Sequence, residues 1–233
     1  MRSVACKIHQ LNEQWPEEKK ANYVKHALRE YDIHKSLVCD RSAYFCVLNY
    51  HQNHARIVRL FDVFPIDNNC FVTVLELCDG YDLDFYLKQR KTLDEVPRLL
   101  LSLLHSFCFQ SEARLIIVQL CRALLYLQEQ PQPIIHYDLK PGNILYNKGE
   151  IKLTDFGLSK IMSEESPDIE LTSQGAGTYW YLPPETFDVS GQGVRISSKV
   201  DVWSVGVIFY QVRSLCYVLY NCDADVVRQK TVW

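Results

Sequence analysis

Asp138, Lys140, Asn143 and Asp155 lie within HYDLKPGNILYNKGEIKLTDFGLSK, residues 136–160. These side chains can handle phosphate and metal if the chain brings them together. Ile144 and Leu145 give the first apolar run of this stretch. In the second, Ile151 and Leu153 alternate with Lys152 and Thr154, so ILYN and EIKLTD read as two short strands. Asn147-Lys148-Gly149 between them is a turn signal, because Asn and Gly tolerate positive φ at low cost. A hairpin sets the loop before its first strand beside the loop after its second. Two carboxylates, a carboxamide and an ammonium then converge. Oxygen donors of this kind suit Mg²⁺, which takes one or two protein carboxylates and leaves its other positions to water and substrate phosphates. The same residues on a surface turn would be ordinary solvated charges, and spacing alone leaves both readings open.

Other elements must hold such a hairpin in place. Residues 4–11 alternate as a strand does, with Ala5, Lys7 and His9 facing one way and Val4, Cys6 and Ile8 the other. The run WPEEKKANYVKHALREYDIHKSL predicts a helix, with Pro16 near its first turn and Glu17 and Glu18 favouring its positive end. Ala27, Glu30, His34 and Leu37 fall on one face of it, so Glu30 either points inward to Lys7 or sits solvated on an amphipathic surface. RIVRLFDVF and CFVTVLELC read as strands, and Ile117, Leu120, Leu124 and Leu127 recur at helical spacing as core packing. DVWSVGVIFY is apolar nearly all round, which predicts a helix buried in the core.

At 233 residues and 48% hydrophobic content the chain can bury a sizeable core. Its net charge of −3 gives no electrostatic case for nucleic acid or a membrane surface. No apolar run approaches the length of a membrane span. Nine cysteines occur without C-x-x-C spacing, which favours reduced thiols inside a cell over a disulfide framework or a zinc site.

HYDLKPGN followed by DFG resembles the catalytic loop and the metal-binding triplet of protein kinases. VACK resembles their lysine strand, HALREYDIHKSL the helix carrying its glutamate partner, and GTYWYLPPE the segment ending in A-P-E, with Pro183 for Ala. KIHQLNEQW, DLDFYLKQ, PIIHYDLKPGNIL, DFGLSKIM and LTSQGAGTYWYLPPE are similar to tousled-like serine/threonine kinases, nuclear enzymes linked to chromatin assembly. The resemblance implies an α+β, bilobal fold and phosphoryl transfer from ATP with Mg²⁺ to a protein serine or threonine. It implies Asp138 as the base, Lys140 offsetting phosphoryl charge, Asn143 and Asp155 as metal ligands, and Lys7, fixed by Glu30, on the α and β phosphates. It implies Leu75 behind the adenine and the backbone of Glu76 and Cys78 on its edge. Asp82 accepts from the ribose or caps a helix. Lys140 and Thr178 match serine/threonine enzymes more than tyrosine enzymes. Protein substrates, chromatin-assembly factors among them, follow from the resemblance, as does a nuclear location; direct nucleic-acid or membrane partners do not.

Departures from the pattern are also expected. Tyr137 stands where H-R-D has Arg, which removes the guanidinium that elsewhere pairs with a phosphorylated activation segment. No G-x-G-x-x-G precedes Lys7 and the kinase pattern stops after Gln211, so the fold reads as incomplete. Residues 1–78 form a partial small lobe, 79–211 a partial large lobe and 212–233 a non-kinase tail. Two runs of 15 residues, 38–52 and 96–110, interrupt the resemblance, each opening on Val and closing on Gln. Val codons begin GT and one Gln codon is CAG, so the runs read as retained introns or as genuine loop insertions. The chain itself is therefore expected as an active kinase, an impaired kinase-like fragment or an unproductive product.

Overall fold

The computed structural model describes residues 3–38, 54–67, 69–91, 98–163, 168–171, 177–187 and 193–218, and for 35, 38, 90–91, 98–110 and 214–218 the backbone alone. Strand β1 (Val4–Gln10) is followed by helix α1 (Glu17–Val38), strand β2 (Leu60–Asp67) and strand β3 (Cys70–Glu76). The three strands form an antiparallel sheet in the order β1-β3-β2. Lys7 lies opposite Thr73, and Ala5 and Leu60 flank Leu75 on either side. The expected inward face of β1 is present, since His9 is buried while Val4 and Ile8 are exposed.

Helix α1 starts where Pro16 stops the extended chain, its carbonyl receiving the amides of Lys19 and Lys20. Ala27, Glu30, Ile33, His34 and Leu37 make its buried stripe. Residues 39–52 of the first interrupting run lie outside the described residues. Residues 98–110 of the second run are helical and continuous with 111–128 in α3 (Arg98–Gln128).

After β3 come strand β4 (Tyr81–Asp82) and helix α2 (Leu83–Lys91). After α3 come β5 (Ile134–Ile135), β6 (Ile144–Asn147), β7 (Glu150–Leu153), β8 (Lys160–Ile161), β9 (Ile169–Glu170), β10 (Arg195–Ile196) and helix α4 (Lys199–Val218). The hairpin β6–β7 pairs Ile144 with Leu153 and turns on Lys148 (φ 48) and Gly149 (φ 88), two left-handed residues that match a tight hairpin turn. Its core side packs on α3, where Ala113, Ile116, Leu120, Ala123, Leu124 and Leu127 face inward. Gln119 of α3 clamps the turn by donating to the Gly149 carbonyl at 2.6 Å and accepting from the Ile151 amide at 3.3 Å.

Helix α4 departs from its sequence reading. Val200, Val205, Ile208 and Val212 are buried, whereas Val202, Trp203, Phe209 and Tyr210 are exposed, Tyr210 at 72%. Among the described residues, α4 packs through one face only, so its all-round apolar character is not matched by all-round burial.

Two consequences can be measured. Gly80 has φ 104, and a Cβ there would lie 2.4 Å from the Tyr146 carbonyl oxygen, so Gly80→Ala should lower unfolding free energy by more than about 2 kcal/mol in denaturant titration. Burial lowers His34 to about 4, helped by the charges of Lys7 and His136, so it stays neutral in the fold while the unfolded side chain titrates near 6.5. As pH falls from about 6.5 towards 4 the unfolded state alone gains this proton, and stability should drop by up to about 3 kcal/mol. His34→Leu should remove that part of the slope when melting is followed across this range.

Candidate active site

Helix α4 carries the anchor of the site at its first turn. Asp201 is buried and accepts the backbone N–H of His136 at 2.7 Å and of Tyr137 at 2.9 Å. Burial pushes its carboxyl upward in pKa, against the pull of His136 and these two N–H donors. The clamp fixes the backbone immediately before Asp138, where Tyr137 takes φ 69. A short 3₁₀ turn, Pro141–Asn143, then leads into β6.

Asp138 is the hub. Its Oδ2 accepts from Lys140 Nζ at 2.7 Å and Asn143 Nδ2 at 3.0 Å. Its Oδ1 accepts from Thr178 Oγ1 at 2.8 Å and the Thr178 amide at 3.1 Å. Lys140 Nζ also reaches Thr178 Oγ1 at 2.9 Å. Asn143 Nδ2 donates again to the Asp138 carbonyl at 2.8 Å, so its amide nitrogen is committed to the loop and its Oδ1 is the end left to act as a ligand.

Asp155 follows β7 with φ 65, a left-handed backbone that costs a non-glycine residue roughly 1 kcal/mol or more and persists only where its surroundings hold it. Those surroundings are present. Phe156 is fully buried with its ring 5.1 Å from that of His34 and 4.9 Å from that of His136. His136 Nε2 donates to the Thr154 carbonyl at 3.2 Å, and its buried Nδ1 has no hydrogen-bond partner among the described residues.

On the three-stranded sheet, Lys7 Nζ of β1 donates to Glu30 Oε2 of α1 at 3.1 Å, the glutamate buried and the lysine half-exposed. Burial alone would lower Lys7, but Glu30 and Asp155 together raise its pKa, so Asp155 lies within electrostatic reach of this pair. Burial raises Glu30 against the opposing effect of Lys7.

The segment joining the lobes is likewise tied down. Glu76 Oε2 accepts from Lys152 Nζ at 2.9 Å and pairs with Arg59 at 3.5 Å, and Val58 donates its amide to the Leu153 carbonyl at 2.9 Å. Lys152 and Arg59 together hold the Glu76 carboxyl below the usual range despite its partial burial. Leu75 is buried at the end of β3, and the Cys78 thiol sits 3.7 Å from the Glu76 carbonyl. Of the two roles open for Asp82, capping is visible, since its Oδ1 accepts the Phe85 amide at 2.7 Å in the first turn of α2.

Asp138, Lys140 and Asn143 are thus joined by direct bonds, and Lys7, Glu30 and Asp155 are coupled by charge. Sequence reading did not assign a site role to Thr178 or Asp201. A lone acid opening the apolar run DVWSVGVIFY was the available signal for Asp201. Among the described residues, no group of three or more His, Cys, Asp or Glu side chains could hold a metal by itself. That suits a cation whose remaining ligands are phosphate and water.

A protein kinase domain model matches residues 1–231. The chain is 56% identical over 218 residues to serine/threonine-protein kinase tousled-like 2 of Mus musculus, 54% over 217 to tousled-like 1 of Homo sapiens, and 53% over 213 to TOUSLED of Arabidopsis thaliana. Each match takes in 90% of the chain but only 26%, 24% and 26% of the relative, so the chain spans about a quarter of their length. Its structure is similar to a chain of the CAK complex from Chaetomium thermophilum bound to ATP-gamma-S, with a TM-score of 0.63 at 25% identity, covering 91% of this chain and 54% of that one. Motifs, fold and family model agree: the chain belongs to the protein kinase family, and among its members it is similar to the tousled-like serine/threonine kinases.

Proposed function

We propose that this chain carries the centre of an ATP-dependent serine/threonine kinase that moves the γ-phosphoryl group of ATP to a protein hydroxyl. The observation that carries the reading is the Asp138 hub, with Lys140, Asn143 and Thr178 all in hydrogen-bond contact with one carboxylate. Asp138 orients the substrate hydroxyl and takes its proton as the oxygen attacks phosphorus and the bond to ADP breaks. Four donors already fill its two oxygens, so an incoming hydroxyl replaces one of them. Lys140 is the donor best suited to leave, because its flexible ammonium can turn to the phosphoryl oxygens.

Asn143 Oδ1 and the Asp155 carboxylate fit Mg²⁺ as hard oxygen donors with room for phosphates. Bound there, the cation would neutralise charge on the β and γ phosphates. Lys7, oriented by Glu30, pairs with the α and β phosphates. Leu75 backs the adenine and the Glu76 and Cys78 backbone meets its edge; Asp82, at the end of β4, keeps Oδ2 for the ribose while its Oδ1 caps α2. The likeness to tousled-like kinases supports chromatin-assembly factors as substrates and the nucleus as the compartment. No helix among the described residues is long and apolar enough to cross a membrane.

Asp138→Asn should lower kcat on a serine/threonine protein substrate by about 100-fold or more while leaving ATP affinity within about twofold, since the proton acceptor is lost while the Lys7–Glu30 pair and Asp155 are untouched. Asp155→Asn should weaken Mg²⁺-dependent ATP binding at least about tenfold as well, since a charged ligand is removed. Calorimetric ATP titration with and without Mg²⁺, beside steady-state kinetics, separates the two; equal loss of ATP binding in both variants would count against these roles.

A further inference from the structure

His26, Glu30 and His34 occupy positions i, i+4 and i+8 of α1, one stripe along the helix. Glu30 holds Lys7, and the histidines on either side both reach the corner that Asp155 opens. His34 packs edge-on against Phe156 with ring centroids 5.1 Å apart. His26 Nδ1 lies 3.0 Å from the Gly157 carbonyl oxygen, and because a carbonyl only accepts, Nδ1 carries the proton. The approach is close on both sides: a Cβ on Gly157 would sit 3.6 Å from the His26 carbonyl, 3.8 Å from the His26 Cβ and 3.4 Å from Asp155 Oδ1. One turn on, Arg29 Nη1 donates to the Ser159 carbonyl at 3.4 Å, and the Ser159 amide closes the corner on the Phe156 carbonyl at 3.0 Å.

From this geometry we infer that His26 is a positioning residue for phosphoryl transfer. Its N–H to Gly157 ties the left-handed corner at Asp155 to the helix that carries Glu30, so the metal-side carboxylate and the Lys7–Glu30 pair keep one relative position. Asp155 has φ 65, a conformation it holds only under outside constraint. The His26 side chain is exposed, so its removal opens no core cavity and takes away chiefly this hydrogen bond. The role rests on the kinase reading above, because what His26 positions is the ATP and metal side of that reaction.

Asparagine and glutamine discriminate this role from general packing. The Asn amide nitrogen hangs from Cγ as Nδ1 does and can keep the bond, whereas the Gln amide reaches one carbon further. His26→Ala should lower kcat about tenfold with the KM for protein substrate unchanged, since small misplacements at a reacting centre cost one to two orders of magnitude. His26→Asn should return to within about threefold of wild type, and His26→Gln should not. Amide exchange on the full chain gives a readout that does not need turnover: His26→Ala should speed exchange at Ser159 at least about tenfold while His26→Asn leaves it protected. Unaltered Ser159 exchange in His26→Ala, or equal effects of Ala and Asn, would overturn the inference. A wild-type chain that neither binds Mg·ATP nor transfers phosphate would instead sink the kinase reading, and the exchange data would still decide whether His26 holds the corner.

Discussion

A single buried carboxylate sets the frame on which the rest of the site is built. Asp201 accepts the amides of His136 and Tyr137 inside the large lobe. Without that acceptor two backbone donors would be buried unpaired, each at a cost of about 1–3 kcal/mol. The clamp therefore decides the path of the chain into Asp138, and through Asn143 it decides where β6 begins. From β6 the pairing with β7 carries the same frame to Asp155, and from Phe156 it passes to His34 on α1. The route is a chain of physical contacts from α4 to the small lobe.

Two kinds of force share the work along that route. Polar contacts fix direction: Asp201 on the backbone, Gln119 on the hairpin turn, and Lys152 and Arg59 on Glu76. Apolar burial supplies the gross stabilisation, at roughly 25 cal/mol per Å² of apolar surface removed from water. One apolar cluster runs from Ile33 and Leu37 through α3 and the hairpin to Val205, Ile208 and Val212. Phe156 belongs to this cluster, so the corner at Asp155 is held by a fully buried ring as well as by hydrogen bonds. The left-handed backbone at Tyr137 and Asp155 brackets the hairpin on both sides. Of the three left-handed non-glycine residues among the described residues, Lys148 sits in the hairpin turn and the other two in the loops that hold Asp138 and Asp155.

The sequence was most legible where one period or one turn signal decided the structure. The hairpin followed from alternation and from Asn147-Lys148-Gly149, although its second strand ends at Leu153, before Thr154 and Asp155 leave the ladder. The Lys7–Glu30 contact followed from a period of two on β1 and of 3.6 on α1, each of which points the side chain inward without reference to the other. Contacts set by long-range packing were not legible. Thr178 reaches Asp138 across 40 positions and Asp201 reaches Tyr137 across 64, and no local pattern encodes such separations. Helix α4 shows a related limit, because hydropathy records which faces can be buried and not which have a partner.

Tyr137 shows how one residue change alters the way the segment after Asp155 is held. An arginine there would offer a guanidinium to an anion. The tyrosine is 98% buried and packs with Ile135, Met162, Leu171, Leu182, Val194, Ile196 and Val200 in a second apolar cluster. Burial pushes its hydroxyl up to about 12, so it stays neutral across physiological pH, and Lys160 lies over its ring at 5.9 Å. Met162 and Leu171 come from the chain soon after Asp155 and Leu182 from the stretch beyond Thr178, so this cluster joins the two described ends of that segment. Its hold is hydrophobic and therefore little screened by salt, unlike an ion-pair clamp between exposed charges. The backbone of Tyr137 hangs from Asp201 while its ring anchors the segment that brings Thr178 to Asp138. One side chain thereby couples the buried frame of the lobe to the donor set around the Asp138 carboxylate.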